Sequence, residues 1–159
     1  MKKIMIIDGQ GGLLGKNLVE AVKKVLPEAE ITAIGTNTMA TTAMLKAGAT
    51  NGATGENAVV VGARKSDIIV GPIGIAIADS LLGELTPKMA KAIGQSEAMK
   101  ILLPVNKCNN IVIGVDDKST SELIALAIEK IRELAVAYDT RRYRSGPEGP
   151  ACIFVFLPC

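Results

Sequence analysis

A glycine-rich segment between an apolar run and an amphipathic stretch restricts the fold more than any other feature. Residues 8–16 read Asp-Gly-Gln-Gly-Gly-Leu-Leu-Gly-Lys, and Gly9, Gly12 and Gly15 give the spacing G-x-x-G-x-x-G. The run 4–7 before it is typical of a buried parallel strand. Residues 13–26 after it have apolar positions at helical spacing. A strand, a tight glycine turn and a helix in this order predict the first unit of a parallel α/β sheet.

This turn also has the chemistry of a phosphate site. Glycine lets a ligand approach the backbone closely, and the helix N-terminus beyond it offers unpaired N–H groups with a partial positive charge. A tight turn without any ligand is the alternative. A P-loop ATPase is disfavoured, because Gln10 stands where that motif needs glycine and Asn17 where it needs Ser or Thr. The predicted cofactor-binding residues of the turn are Asp8, Gly9, Gln10, Gly11, Gly12, Leu13 and Gly15.

Strands and helices continue to alternate along the chain. The predicted strands are 4–7, 31–34, 67–70, 100–103 and 111–115. The predicted helices are 13–26, a small-residue helix closed by Gly48, then 57–66, 75–82, 86–94 and 119–135. We expect 49–55 to be a loop, and 75–82 to be a buried helix or a subunit interface because it is apolar nearly all round.

The strands 100–103 and 111–115 are too close in sequence for a parallel crossover. We therefore expect the last strand to be an antiparallel partner of the one before it. The predicted fold is Rossmann-like: a doubly wound, mostly parallel five-stranded sheet with an antiparallel edge strand, in three α/β/α layers.

Ligands of open α/β sheets bind outside the carboxyl ends of the strands. The other small or polar residues predicted at these ends to bind the cofactor are Thr36, Asn37, Gly71, Pro72 and Asn106. The chain has no histidine, so the weak candidates for proton transfer are Asp79, Glu56 and Lys107. Ordinary turn, capping and packing roles are the alternative for each of them. No metal site is predicted.

Composition narrows the possible partners and compartment. A net charge of +2 without a clustered basic face disfavours nucleic-acid binding, and no apolar run has the roughly 18 residues that a membrane helix needs. Three widely spaced cysteines, Cys108, Cys152 and Cys159, fit a reducing cytoplasm better than a disulfide framework. We therefore expect a cytoplasmic protein, with a nucleotide-type small molecule rather than nucleic acid or membrane as its partner.

The glycine turn resembles the nucleotide-binding turn of atypical and extended short-chain dehydrogenases. That resemblance implies that the three motif glycines line a pyrophosphate, and that NAD or NADP is a possible cofactor. Where NAD-selective members carry an acidic residue for the ribose, this chain has Gly35-Thr36-Asn37, in which Asn37 could bond the ribose instead. The reductases' Tyr-x-x-x-Lys is absent, because Tyr138 is followed four positions later by Arg142. A complete short-chain dehydrogenase is therefore excluded.

A longer resemblance covers roughly residues 3–135. The phrases at 7–12, 52–58, 67–75 and 103–108 are similar to those of a small bacterial family catalogued as a domain of unknown function and described as Rossmann-like. This resemblance implies the fold and supplies no activity.

We expect residues 1–138 to form a Rossmann-like nucleotide-binding domain. Residues 139–159 form a separate tail that is Arg-rich, then Gly/Pro-rich, then apolar. Such a tail pairs with a sheet edge, contacts another subunit or is disordered. The favoured function is the binding of a nucleotide or dinucleotide of the NAD(P) type, in a protein expected to be a homo-oligomer. The alternative is a non-catalytic regulatory or assembly subunit that oligomerises through 75–82 and the tail.

Overall fold

A parallel sheet between two layers of helices forms the protein. The computed structural model describes residues 2–105 and 110–144, the last nine of them as backbone only. The strands are β1 (Lys3–Asp8), β2 (Glu30–Gly35), β3 (Asn51–Thr54), β4 (Ile68–Pro72) and β5 (Met99–Leu103). The helices are α1 (Leu13–Val25), α2 (Thr38–Lys46), α3 (Glu56–Lys65), α4 (Pro87–Gln95) and α5 (Thr120–Arg144).

The strand order is β3-β2-β1-β4-β5, and each neighbouring pair is parallel. This is the order of a Rossmann-like sheet, so the predicted α/β class is confirmed. The chain runs outward from β1 to β3 on one side and then returns to β4 on the other side. The carboxyl ends of β1 and β4 therefore flank the topological switch point, where open α/β sheets bind their ligands.

Successive side chains of β1 point to opposite faces of the sheet, and each face is covered by its own layer of helices. Ile4 and Ile6 pack with α1 and α5, whereas Met5 and Ile7 pack with α3 and α4. All four side chains are at most 2% exposed. A strand covered on both faces must be apolar at every position, which is why β1 lacks the apolar–polar alternation of a half-exposed strand.

The prediction of an antiparallel edge strand at 111–115 was wrong. This segment is not a strand, and its isoleucines Ile111 and Ile113 are 87% and 89% exposed. The edge strand β5 pairs only with β4 among the described residues. The short spacing does exclude a parallel crossover between 100–103 and 111–115, but a run of β-branched residues does not require that the second segment pair at all.

The fifth strand instead lies in the segment 49–55, which was wrongly predicted to be a loop. β3 is built from Asn51, Gly52, Ala53 and Thr54, and the first three of these residue types have low strand propensity. It forms because β2 supplies a complete ladder, pairing from Thr32↔Asn51 to Gly35↔Thr54. Gly52 is required there, since a Cβ at this position would lie 2.7 Å from Leu45 of α2.

The segment 75–82 is not a helix, contrary to prediction. Two short 3₁₀ turns, Ile73–Ala76 and Leu81–Gly83, are separated by irregular backbone. Asp79 in that backbone has positive φ, as do Leu81 and Leu82 in the second turn. Ile75 and Leu81 are buried inside the protein, whereas Leu82 is 96% exposed. The apolar composition therefore reflects the packing of a loop against the sheet.

The residues that begin and end the helices were predicted more accurately. Gly48 has φ +103° just after α2, and the Thr86 side chain accepts from Met89 N at the start of α4. Ser119 and Glu122 bond reciprocally at the start of α5, as a capping box requires. α5 is longer than predicted, while the apolar part of the tail lies outside the described residues. No described helix has the length and hydropathy to span a membrane.

Candidate functional site

Asp8 holds the glycine turn closed. Its carboxylate accepts hydrogen bonds from Gly9 N at 2.8 Å and from Gly15 N, in the first turn of α1, at 2.6 Å. The side chain is buried, and this burial raises the pKa of Asp8 although the two N–H bonds oppose the rise. The N–H group of Gly15 at the start of α1, which we expected to be open to a phosphate, is thus bonded to a carboxylate of the protein itself.

The three glycines of the motif are each required by close packing. A Cβ at Gly12, where φ is +70°, would lie 2.5 Å from the Cα of Ala40 in α2. One at Gly15 would lie 2.6 Å from the sulfur of Met44, and one at Gly9 would lie 2.6 Å from Thr36 Oγ1. The motif spacing is therefore explained by the close contacts of the turn and α1 with α2 and the end of β2, whether or not a phosphate binds.

The tip of the turn remains open. A Cβ at Gly11 would meet nothing within 4 Å. Gly12 N is bonded to Gly9 O, whereas the N–H groups of Gly11 and Leu13 have no acceptor among residues 2–105 and 110–135. Two backbone donors near the N-terminus of α1 are thus available to an anionic group.

Glu84 is the central side chain of the site. Its Oε2 accepts from Gln10 N at 2.7 Å, Thr36 Oγ1 at 2.5 Å and Asn37 Nδ2 at 3.2 Å. Partial burial alone would raise the pKa of Glu84, but these three hydrogen bonds lower it below its usual value. An ionised carboxylate therefore joins the glycine turn to the end of β2.

Asn37 is a structural part of this arrangement. Its Oδ1 caps α2 by accepting from Ala40 N at 2.9 Å, and its Nδ2 donates to Gln10 O at 3.0 Å as well as to Glu84. The side chain predicted to bond a ribose thus holds together the groups around the crevice.

Glu84 lies in the connection 73–86 between β4 and α4, which passes over the switch point. Ser80 Oγ donates to Gly74 O at 2.5 Å, and Asp79 N donates to Leu85 O at 2.8 Å, so the connection is bonded internally. A Cβ at Gly9 would lie 3.0 Å from the Leu81 side chain, which shows how closely the connection covers the turn.

The other predicted residues divide into four groups. Gly71 and the buried Pro72 end β4 beside β1, and a Cβ at Gly71 would lie 2.6 Å from Ile7 O. Asp79 is exposed, in the irregular part of the connection. Glu56 bonds Thr86 Oγ1 at 2.7 Å and Lys88 Nζ at 3.0 Å, and so links α3 to α4. Asn106 and Lys107 lie outside the described residues.

Large apolar side chains are exposed on the elements that border the crevice. Leu13 at the start of α1 and Met39 in α2 are each 67% exposed, and Leu82 of the connection is 96% exposed. Such side chains gain stabilisation only when something covers them.

A groove lies at the end of the sheet opposite the glycine turn. This groove has a volume of about 650 Å³ and is lined at the amino ends of β4 and β5 by residues including Arg64, Lys65, Asp67, Ser96 and Glu97. It is away from the carboxyl ends, where ligands of this fold class bind. Within the described parts of the chain, no group of three or more His, Cys, Asp or Glu side chains could hold a metal ion.

Sequence reasoning missed Glu84. It assigned 75–82 to a helix, which would carry the chain away from the carboxyl ends of the strands. A contact between Glu84 and the turn after β1 was therefore not expected. The available signal was the sequence Gly83-Glu84 before the capping pair Thr86-Pro87, which marks an acidic residue in a turn at the carboxyl edge of the sheet.

Comparison with known proteins gives a family but no activity. A family model described as a domain of unknown function (DUF3842) matches residues 3–136, and no curated protein matches the chain. Among solved structures, a dodecameric FMN-dependent Ubix-like decarboxylase from Escherichia coli O157:H7 aligns at 14% identity and a TM-score of 0.41. The alignment covers 84% of this chain and 93% of that one. Similarity this low is not an argument for a shared ligand or reaction.

Proposed function

The chain belongs to the DUF3842 family, and we propose from the geometry of its site that it binds a nucleotide in the crevice between the glycine turn and the end of β2. The proposed ligand has a ribose and a diphosphate, as in ADP-ribose and the NAD- or NADP-type dinucleotides. The ribose lies by Thr36, Asn37 and Glu84, and the phosphates lie at the tip of the turn.

One observation carries this proposal: Glu84 is bonded simultaneously to Gln10 of the turn and to Thr36 and Asn37 at the end of β2. These residues come from three separate parts of the chain, and they meet beside the topological switch point. A polar cluster there, in a sheet of this order, is the usual position of a nucleotide site.

The backbone at the turn supports the phosphate position. The N–H groups of Gly11 and Leu13 are available donors, and α1 contributes the partial positive charge of its N-terminus. Because Asp8 already accepts from Gly15 N, these groups bind the outer side of a diphosphate rather than enclose it.

The exposed apolar residues support a position for the base. Leu13 and Met39 belong to helices that begin at the turn and just after β2, and Leu82 belongs to the connection that carries Glu84. A flat aromatic ring in the crevice would cover part of this apolar surface, as bases do in largely apolar pockets.

The alternative function, an assembly subunit, is not favoured. Its proposed contact segment 75–82 has Ile75 and Leu81 buried within the protein, which leaves Leu82 as its one large exposed apolar side chain. Homo-oligomerisation remains a prediction that is independent of nucleotide binding.

The direct test is thermal unfolding with ADP-ribose, NAD⁺, NADP⁺, FMN, ATP and AMP, each in excess. A ligand at ~100 times its Kd stabilises the native state by about 2.7 kcal/mol. For a domain of this size, that raises Tm by several degrees. A shift with ADP-ribose and the dinucleotides supports the proposal, and no shift with any nucleotide contradicts it.

The variant Gly11→Val tests whether the diphosphate binds at the tip of the turn. Its side chain would enter open space at the tip of the turn, so the variant should fold while blocking the approach of a diphosphate. Gly94→Val is the matched control, since a Cβ at Gly94, in α4, also meets nothing within 4 Å. Loss of the ligand-induced shift in Gly11→Val alone is the expected result.

A further inference from the structure

We propose that Glu84 selects the ribose of the ligand, accepting a hydrogen bond from its free hydroxyls and excluding a nucleotide that carries a phosphate on the 2′ oxygen. This inference rests on the proposed function and makes it more specific. It assigns the site to ligands of the ADP-ribose and NAD type, against those of the NADP type.

The first support is the unequal use of the two carboxylate oxygens. All three hydrogen bonds to Glu84 end on Oε2, so Oε1 has no donor within the described residues. Gln10, Thr36 and Asn37 thus fix the carboxylate while leaving one oxygen able to accept. Vicinal hydroxyls are suitable donors for such an oxygen, and a carboxylate accepts but does not donate.

The second support is the charge around this position. Glu84 is ionised at neutral pH, because its hydrogen bonds lower its pKa. No lysine or arginine of 2–105 or 110–135 forms an ion pair with it. A 2′-phosphate would bring more negative charge next to Glu84 without a described cation to balance it, and like charges in contact are strongly selected against.

The third support is the position of Glu84 in the fold. Dinucleotide-binding sheets hold the ribose 2′ hydroxyl with an acidic residue at the end of the second strand. This chain has Gly35-Thr36-Asn37 there instead. The connection between β4 and α4 brings Glu84 to that strand end, where Thr36 and Asn37 bond it. The carboxylate missing from β2 in the sequence is therefore supplied from elsewhere in space.

Calorimetric titration of the full-length protein with ADP-ribose and with 2′-phospho-ADP-ribose tests the inference. The two probes share the adenosine diphosphate and differ only at the 2′ oxygen. We expect ADP-ribose to bind about tenfold more tightly or better, because of the repulsion between adjacent charges. Equal affinities overturn the inference while leaving the proposed function intact, whereas binding of neither probe overturns the proposed function as well.

The variant Glu84→Gln tests whether this side chain causes the preference for ADP-ribose over 2′-phospho-ADP-ribose. The amide oxygen can still accept from Gln10, Thr36 and Asn37, while the amide NH₂ replaces Oε1 with a donor that suits phosphate. We expect the preference for ADP-ribose to fall to about threefold or less, or to reverse. Glu133→Gln is the control, because it makes the same charge change on the exposed surface of α5, where Glu133 pairs with Lys130. An unchanged preference in a folded Glu84→Gln variant overturns the inference.

Discussion

Gln10 and Glu84, 74 positions apart in the chain, are joined by a 2.7 Å hydrogen bond from the backbone N–H of Gln10 to the carboxylate of Glu84. Gln10 is in the left-handed region, with φ +50°, so its N–H belongs to a turn that the surrounding contacts must hold. The bond fastens the connection between β4 and α4 to the turn between β1 and α1. The carboxyl ends of β1 and β2 are thereby linked to the connection that follows β4.

The first prediction concerns the second motif glycine. Gly12→Ala should destabilise the protein by about 2–4 kcal/mol, since it adds left-handed strain to a clash with the Ala40 backbone. Chemical denaturation measures this change. Gly11→Ala, one position earlier in open space, is the control and should change stability by less than about 0.5 kcal/mol. Equal stability of the two variants would show that α2 does not pack against the turn in this way.

The second prediction is a pH dependence. The folded-state pKa of Glu84 is lowered from its ordinary value of 4.5, so ionised Glu84 stabilises the native state above that pH. The stabilisation is lost as the pH falls through the lowered folded-state pKa. Wild type should therefore be more stable than Glu84→Gln at pH 7, and this advantage should shrink below about pH 4.5. Urea denaturation of both proteins from pH 7 to pH 3 measures it, and a constant or growing difference would contradict the prediction.

The third prediction concerns Glu56, which the sequence made a weak candidate for proton transfer. Its bonds to Thr86 and Lys88 give it a structural role between α3 and α4. These bonds lower the pKa of Glu56, which keeps it ionised rather than poised to exchange a proton at neutral pH. Glu56→Gln should slightly lower Tm and leave the affinity for ADP-ribose within about twofold of wild type. A larger loss of affinity would show that Glu56 contributes to ligand binding.

The fourth prediction concerns Leu82, at the exposed bend of the connection. Its φ of +59° is unfavourable for leucine, and its 96% exposed side chain makes almost no contact in the protein. Leu82→Gly should therefore stabilise the ligand-free protein by up to about 1 kcal/mol, because it relieves left-handed strain. It should also weaken nucleotide binding if Leu82 covers the base. Leu45→Gly, at a leucine that packs over Gly52, should instead destabilise the protein.

The sequence determines the sheet order less directly than it determines the individual elements. Apolar runs identified β1, β2, β4 and β5, and capping residues located the starts of α4 and α5, because these signals are local. β3 was missed because Asn51 and Gly52 become strand residues only through pairing with β2. The opposite error at 111–115 arose because strand propensity cannot show whether a partner edge is reached.

The site was predictable to the extent that it depends on strand ends. Parallel strands bring their carboxyl ends to one edge, so Asp8, Gly9, Thr36 and Asn37 were expected to meet, and they do. The role of Asp8 in bonding its own turn, and the arrival of Glu84, depend on the path of an irregular loop. Neither periodicity nor motif spacing carries that information.

We propose that a nucleotide binds at the carboxyl edge of the sheet, between the glycine turn and the end of β2. Backbone amide NMR spectra of the ¹⁵N-labelled protein, titrated with ADP-ribose, test this binding site most directly. We expect saturable shift changes at Gly11, Leu13, Thr36 and Glu84, while Arg64 and Ser96 at the opposite groove remain unchanged. Changes confined to that groove, or none at saturating ADP-ribose, would contradict it.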